Sequence, residues 1–127
     1  MRFRAQGGGG VIVNTASVAG LMGWGGVLYG STKGAVVNLT RALAMEVASE
    51  GIRINSVCPG AMATHFGPGA NGAWSDAMLE KMAKAQPLGR IADPTDAANA
   101  ALFLASEMAR SITGVNLPVD AGMSAGR

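Results

Sequence analysis

The stretch GGGGVIVNTASVAG, residues 7–20, decides the fold class. Its centre, Val11-Ile12-Val13, is a β-branched run without polar alternation, which is typical of a parallel strand covered on both faces. The glycines and small side chains of residues 14–27 predict a loop after this strand. Nothing in the few residues before it predicts another element, so we expect the strand to open the fold.

A helix and a second strand are predicted next. Residues 28–49 have the apolar spacing of a helix, and Gly51 is a plausible stop signal. The apolar residues at this spacing are Ala35, Val36, Leu39, Ala42, Leu43 and Val47. Residues 52–58 predict a strand that ends at Pro59-Gly60.

The rest of the chain predicts a loop, two helices and a last strand. Residues 61–75 read as a loop or flap, and residues 75–85 as a short helix. Asp93-Pro94-Thr95-Asp96 begins a helix that we expect to reach Met108. Residues 115–119 predict a strand in which Pro118 indicates an edge position. This alternation of strands and helices predicts a single α/β domain over residues 1–127, with a parallel sheet of about three strands.

Composition excludes several classes of protein. The chain has 127 residues, a net charge of +2 and 14% charged residues, which argues against disorder and against nucleic-acid binding. Cys58 cannot form an internal disulfide, and one cysteine with one histidine predicts no metal site. No apolar run approaches the ~18 residues of a membrane span, and the N-terminus does not resemble a signal peptide. We therefore expect a cytoplasmic protein without a membrane partner.

Three side chains are candidates for proton chemistry. Tyr29 and Lys33 stand four residues apart on one face of the predicted helix. A neighbouring ammonium favours the phenolate, so such a pair can act as a general acid and base, although it is also common on solvated helix edges. Ser17 follows the first strand, where α/β folds place their sites, but for Ser17 in isolation a serine in a small-residue turn is the favoured explanation.

A serine hydrolase is the alternative chemistry for Ser17. The surrounding Asn14-Thr15-Ala16-Ser17-Val18 lacks the Gly-x-Ser-x-Gly elbow of that class. His65 is the only histidine that could serve as its base. The sequence therefore favours this alternative least.

Taken together, these segments resemble the C-terminal half of the classical short-chain dehydrogenase/reductase family. Residues 11–17 look like the strand with the family's catalytic serine, and Tyr29-Gly30-Ser31-Thr32-Lys33 looks like its Tyr-x-x-x-Lys motif. Residues 51–60 are similar to the strand that enters its Pro-Gly turn, and Thr64 follows at the right offset. Further matches are residues 87–90, residues 112–114 and Val119-Asp120-Ala121-Gly122.

The resemblance implies roles for particular residues. Ser17 would bind the substrate oxygen, Tyr29 would transfer the proton, and Lys33 would bind the nicotinamide ribose and favour the ionised tyrosine. The nicotinamide end of the cofactor would lie along Tyr29, Lys33, Pro59, Gly60, Met62 and Thr64. Residues 66–85 would form the substrate flap, in which Trp74, Met78 and Met82 would be pocket wall or core.

The implied function is an NAD- or NADP-dependent oxidoreductase that transfers hydride between an alcohol and a ketone. The implied fold is a truncated, Rossmann-like, doubly wound sheet, because the family's N-terminal half, with its first strands and the Gly-rich turn that binds the cofactor pyrophosphate, has no counterpart in this sequence. We therefore expect little activity from the chain alone. The alternative is an inactive fragment that associates with related subunits through the open sheet edge and the helix over residues 28–49. An active homo-oligomer would form through the same helix.

Overall fold

Three parallel strands form the centre of the fold. A computed structural model describes residues 2–65 and 72–126. Its elements are α1 (Arg2–Gln6), β1 (Gly10–Thr15), α2 (Val27–Val47), β2 (Ile52–Pro59), α3 (Asp76–Lys84), α4 (Pro94–Ala105) and β3 (Asn116–Val119). The sheet order is β1-β2-β3, with Gly10 opposite Ile52 and Ser56 opposite Asn116. The predicted parallel α/β architecture is confirmed.

Helix α2 covers one face of the sheet. Ala44 packs against Ile52 and Ile54 of β2, and Val37 packs against Cys58 further along the same strand. These even-numbered residues of β2 share one face because side chains alternate along a strand. All five residues are at most 5% exposed, so the main core lies between α2 and β2.

Helix α4 is tied to β2 by polar side chains on the odd-numbered positions. The Arg53 guanidinium donates hydrogen bonds to the carbonyls of Leu104 and Ser106 at the helix C-terminus, where backbone carbonyls lack partners within the helix. Asn55 is fully buried, donates to the Ile112 carbonyl and accepts from the Val115 amide. These contacts fix the chain between α4 and β3 against the central strand.

The structure corrects the expectation that nothing precedes the first strand. Residues 2–6 form α1, and Phe3 packs onto the core beside Ile52. Arg4 of α1 also donates to the Glu50 carboxylate, from Nε at 2.7 and 2.9 Å and from Nη2 at 2.7 Å. A five-residue helix has too few apolar positions to give a periodic signal, so the sequence pattern did not reveal it.

The predicted ends of two helices are also corrected. Helix α2 ends at Val47 and α4 at Ala105, and each is followed by a separate 3-10 turn, over residues 48–50 and 107–109. Within the predicted loop after β1, residues 18–20 form a third such turn. The flap prediction falls partly on residues 66–71, which lie outside the described residues.

The apolar positions of α2 divide between two opposite faces. Leu43 and Val47 pack onto the core with Ala44, as the periodicity predicts. Ala35, Leu39 and Ala42 are exposed instead. Over residues 2–65 and 72–126, no helix is both long enough and apolar enough to cross a bilayer.

Candidate functional site

A cavity of about 800 Å³ opens at the carboxyl ends of β1 and β2. Parallel sheets place ligand sites at this edge because the loops that follow the strands converge there. All seven site residues proposed from the sequence line the cavity: Ser17, Tyr29, Lys33, Pro59, Gly60, Met62 and Thr64. They come from the turn after β1, the start of α2 and the loop after β2, so the fold brings together what the chain separates.

Ser17 is held in the turn after β1. It is 4% exposed, and its hydroxyl oxygen accepts a hydrogen bond of 3.1 Å from the Ala19 amide. The hydroxyl also donates to the Pro59 carbonyl over a long 3.4 Å. The first bond caps the 3-10 turn, whereas the second is long enough to be exchanged at little cost for a bond to a ligand.

Tyr29 and Lys33 lie on the inner face of α2, on the same side as the buried Val37. The Lys33 ammonium donates to the Thr15 carbonyl at 3.0 Å and lies 5.7 Å from the centroid of the Tyr29 ring. This bond fixes the ammonium at the end of β1, because Thr15 is the last residue of that strand. The Tyr-x-x-x-Lys spacing thus places a positive charge beside the phenol.

Glycines make room for this arrangement. The helix begins after Gly25 and Gly26, which both have φ of +81°, a conformation that other residues adopt at a cost. A β-carbon on Gly25 would lie 3.1 Å from the Tyr29 ring. A side chain at position 25 would therefore crowd the tyrosine ring at the mouth of the cavity.

The loop after β2 forms the opposite wall. Pro59 and Gly60 are half-buried, and Gly60 packs so closely on Asp120 that a β-carbon would lie 2.9 Å from its Cα. Asp120 is itself fixed by hydrogen bonds from the amides of Gly122 and Ser124, each 2.9 Å. The C-terminal turn thereby supports this wall from behind.

The sequence reasoning missed part of the lining. Trp24 comes from the loop before α2, and Lys81 comes from α3. Trp74, Met78 and Met82, for which pocket wall and core were both considered, line the cavity. Lys81 lies three residues after Met78, so helical spacing was the signal that could have placed it on this face.

Other reactive groups lie outside the cavity. Cys58 is fully buried next to Ser56, and burial raises the pKa of its thiol above the ordinary value. A buried thiol with a raised pKa is a poor nucleophile at neutral pH. Among residues 2–65 and 72–126, no three His, Cys, Asp or Glu side chains form a group that could hold a metal ion.

Known proteins are similar to this chain in sequence and in structure. A model of the protein family described as enoyl-(acyl carrier protein) reductase matches residues 2–124. Meso-2,3-butanediol dehydrogenase of Serratia marcescens is 49% identical over 117 residues, which are 91% of this chain and 45% of that protein.

Two solved structures extend the similarity to the fold. A short-chain dehydrogenase/reductase family oxidoreductase from Burkholderia thailandensis superposes with a TM-score of 0.86 and 39% identity, over 98% of this chain and 48% of that one. A 4-hydroxyisoleucine dehydrogenase complexed with NADH and succinate superposes with a TM-score of 0.85 and 34% identity, over 98% of this chain and 50% of that one. The chain spans about half the length of these relatives. It belongs to the short-chain dehydrogenase/reductase family.

Proposed function

We propose that this chain supplies the catalytic residues and the nicotinamide end of the cofactor site to an oxidoreductase that interconverts an alcohol and a ketone. The observation that carries the proposal is the meeting of Ser17, Tyr29 and Lys33 in one cavity at the carboxyl edge of the sheet. Relatives named as dehydrogenases, one of them complexed with NADH, support it.

The residues present fit a nicotinamide cofactor. The wall at Pro59, Gly60 and Ala61 is built of small side chains, so a planar ring can approach the backbone closely. Among the described residues the Lys33 ammonium donates to the Thr15 carbonyl alone, so two further protons are available for ribose hydroxyls. When bound, the cofactor supplies or accepts the hydride. The choice between NAD and NADP is left open by these residues.

The chain's own residues would handle the proton. Ser17 would donate a hydrogen bond to the substrate oxygen in place of its long bond to Pro59. Tyr29 would give its proton to that oxygen during reduction of a ketone and take it back during oxidation of an alcohol. The Lys33 charge, fixed beside the ring, would stabilise the phenolate left after the proton has moved.

A serine hydrolase is disfavoured by the same geometry. His65, the only histidine of the chain, is exposed and does not line the cavity. Ser17 therefore lacks the base that a nucleophilic serine requires.

A second candidate is an association module without activity of its own. The exposed face of α2, with Leu28 at 85% and Leu39 at 50% exposure, favours it. This face is also where we propose that an active protein forms a homo-oligomer. The cytoplasmic location stays a prediction.

The test is a chimera in which residues 10–126 replace the corresponding C-terminal half of the Serratia marcescens dehydrogenase. Tyr29→Phe should lower kcat by about 10²–10⁴-fold while NADH affinity stays within about threefold, because phenylalanine keeps the ring that would border the cofactor and loses only the hydroxyl. Thr32→Val, which removes an exposed hydroxyl one turn along the same helix, should leave kcat within about twofold of the parent. Full activity of Tyr29→Phe would refute the proposed role.

A further inference from the structure

One wall of the cavity is a face of α3 that the core does not cover. Trp74, Met78, Lys81 and Met82 follow helical spacing and all line the cavity. None of the residues of α3 is fully buried, and Met78 is 37% exposed. The apolar side chains of this face are therefore turned to the cavity and available to a ligand.

Lys81 is the charged group on this face that the proposed reaction does not use. Lys33 is bound to the Thr15 carbonyl, and Lys84 of α3 pairs with Glu80 at 2.6 Å. Within the described part of the chain, Lys81 has neither an ion pair nor a hydrogen bond. It is the lysine of α3 that borders the cavity, whereas Lys84 does not line it.

The cavity holds no negative charge to balance these lysines. No Asp or Glu is present among the described residues that line it. The sequence of residues 66–71, FGPGAN, contains no ionisable side chain. Lys81 is exposed and borders apolar side chains, so its ammonium is open to pairing with an anion that binds in the cavity.

We infer that the substrate of the proposed activity carries an anionic group, such as a carboxylate, sulfonate or phosphate, on an apolar body, and that Lys81 binds that group. That the bound molecule is a substrate rests on the proposed function, whereas the binding of an anionic group by Lys81 does not. Met78 and Met82 would contact the apolar body, since their flexible side chains adapt to its shape.

Hexanoate and hexanamide test this inference, because they share a skeleton and a terminal oxygen but differ in charge. Each is titrated against the 127-residue chain without cofactor, and tryptophan fluorescence is followed. The only two tryptophans of the chain, Trp24 and Trp74, both line the cavity, so the signal reports this site. At low salt, hexanoate should bind about five- to tenfold more tightly than hexanamide.

Matched variants assign the preference to one side chain. Lys81→Gln should weaken hexanoate binding to the level of hexanamide, and Lys81→Arg should keep the preference. Lys84→Gln makes the same change of net charge on the same helix outside the cavity and should leave both affinities unchanged. The preference should also shrink as salt is raised.

Four outcomes would overturn the inference. Two concern the ligands: equal binding of hexanoate and hexanamide, or no binding of either to a chain shown by circular dichroism to be folded. Two concern the variants: an equal effect of Lys81→Gln and Lys84→Gln on hexanoate binding, or weakened NADH binding in Lys81→Gln with hexanoate binding intact. The last would assign Lys81 to the cofactor phosphates. Because the readout needs no turnover, an active Tyr29→Phe chimera would refute the proposed function while leaving this preference in place.

Discussion

Gly20 sets how closely the turn after β1 approaches α2. A β-carbon at this position would lie 2.5 Å from the backbone carbonyl carbon and oxygen of Lys33. Backbone atoms cannot rotate out of the way, so any larger residue must push the turn and the helix apart. Ser17 lies in that turn and Lys33 on that helix, so the spacing of two candidate catalytic residues depends on one missing methyl group.

Gly20→Ala should therefore destabilise the chain by about 1–3 kcal/mol, the usual cost of forcing a methyl group into a packed site. Urea unfolding followed by circular dichroism measures this change. Gly23→Ala is the matched control, because a β-carbon there meets nothing within 4 Å. We expect it to be neutral within about 0.5 kcal/mol. Equal midpoints for the two variants would show that the close approach at Gly20 is not maintained in solution.

The sequence predicted which candidate residues lie near each other only where spacing along the chain implies proximity in space. Tyr29 and Lys33 are one helical turn apart, so their shared face follows from geometry alone. Lys81 shows the limit of such reasoning. Helical spacing gives only the face that it shares with Met78, whereas its place on the cavity wall depends on how α3 lies relative to the sheet. A lysine on an amphipathic helix looks the same in sequence whether it faces solvent or a ligand.

At the scale of elements, α4 shows how one helix is fixed at both ends. Asp93 caps its start by accepting a hydrogen bond from the Thr95 amide, and Asp96 accepts from the Asp93 amide in return. Arg53 reaches across from β2 to the carbonyls at its other end. The first feature was readable as Asp-Pro-Thr-Asp, whereas the second joins residues about fifty positions apart and was not predicted.

Alanine substitutions of Leu104 and Leu102 distinguish the contribution of packing to the stability of α4 from the contribution of helix propensity. Leu104 is 1% exposed and Leu102 is 68% exposed on the same helix. Leu104→Ala should cost about 2–5 kcal/mol through lost burial and a residual cavity, and it should lower the urea midpoint with an unchanged m value. Leu102→Ala deletes the same atoms from the exposed face and should stay within about 0.5 kcal/mol. Similar costs for both variants would mean that α4 does not pack on the sheet through Leu104.

Because α2 has apolar residues on two faces, the periodicity predicted that a helix forms but not which of its faces is buried. Apolar residues recur on both sides, so the pattern identified a helix without stating which side is covered. The structure places Val37 and Ala44 against the sheet and leaves Leu28 and Leu39 outside. The same ambiguity led the periodicity to count exposed alanines with core residues.

At the scale of the molecule, the sheet edges and the outer face of α2 are two surfaces that a second chain could cover. The sheet order β1-β2-β3 leaves both outer strands with one unpaired edge among the described residues. The outer face of α2 adds an apolar stripe formed by Leu28, Ala35, Leu39 and Ala42, which recur at the spacing of one helical face. Small residues between two leucines allow close approach of a second helix. We therefore expect the chain to associate through this stripe.

Leu39→Glu tests that expectation. A carboxylate at the centre of the stripe would have to be desolvated on association, so the dissociation constant should rise by at least about tenfold. Sedimentation velocity over a range of concentrations measures it. Leu88→Glu adds the same charge at a site of similar exposure, 67%, in the loop after α3, and should leave association unchanged. A wild-type chain that stays monomeric at every concentration, or equal effects of the two variants, would exclude the α2 stripe as the interface. The proposed activity would then have to be tested on single chains, because no association through α2 would hold two cavities together.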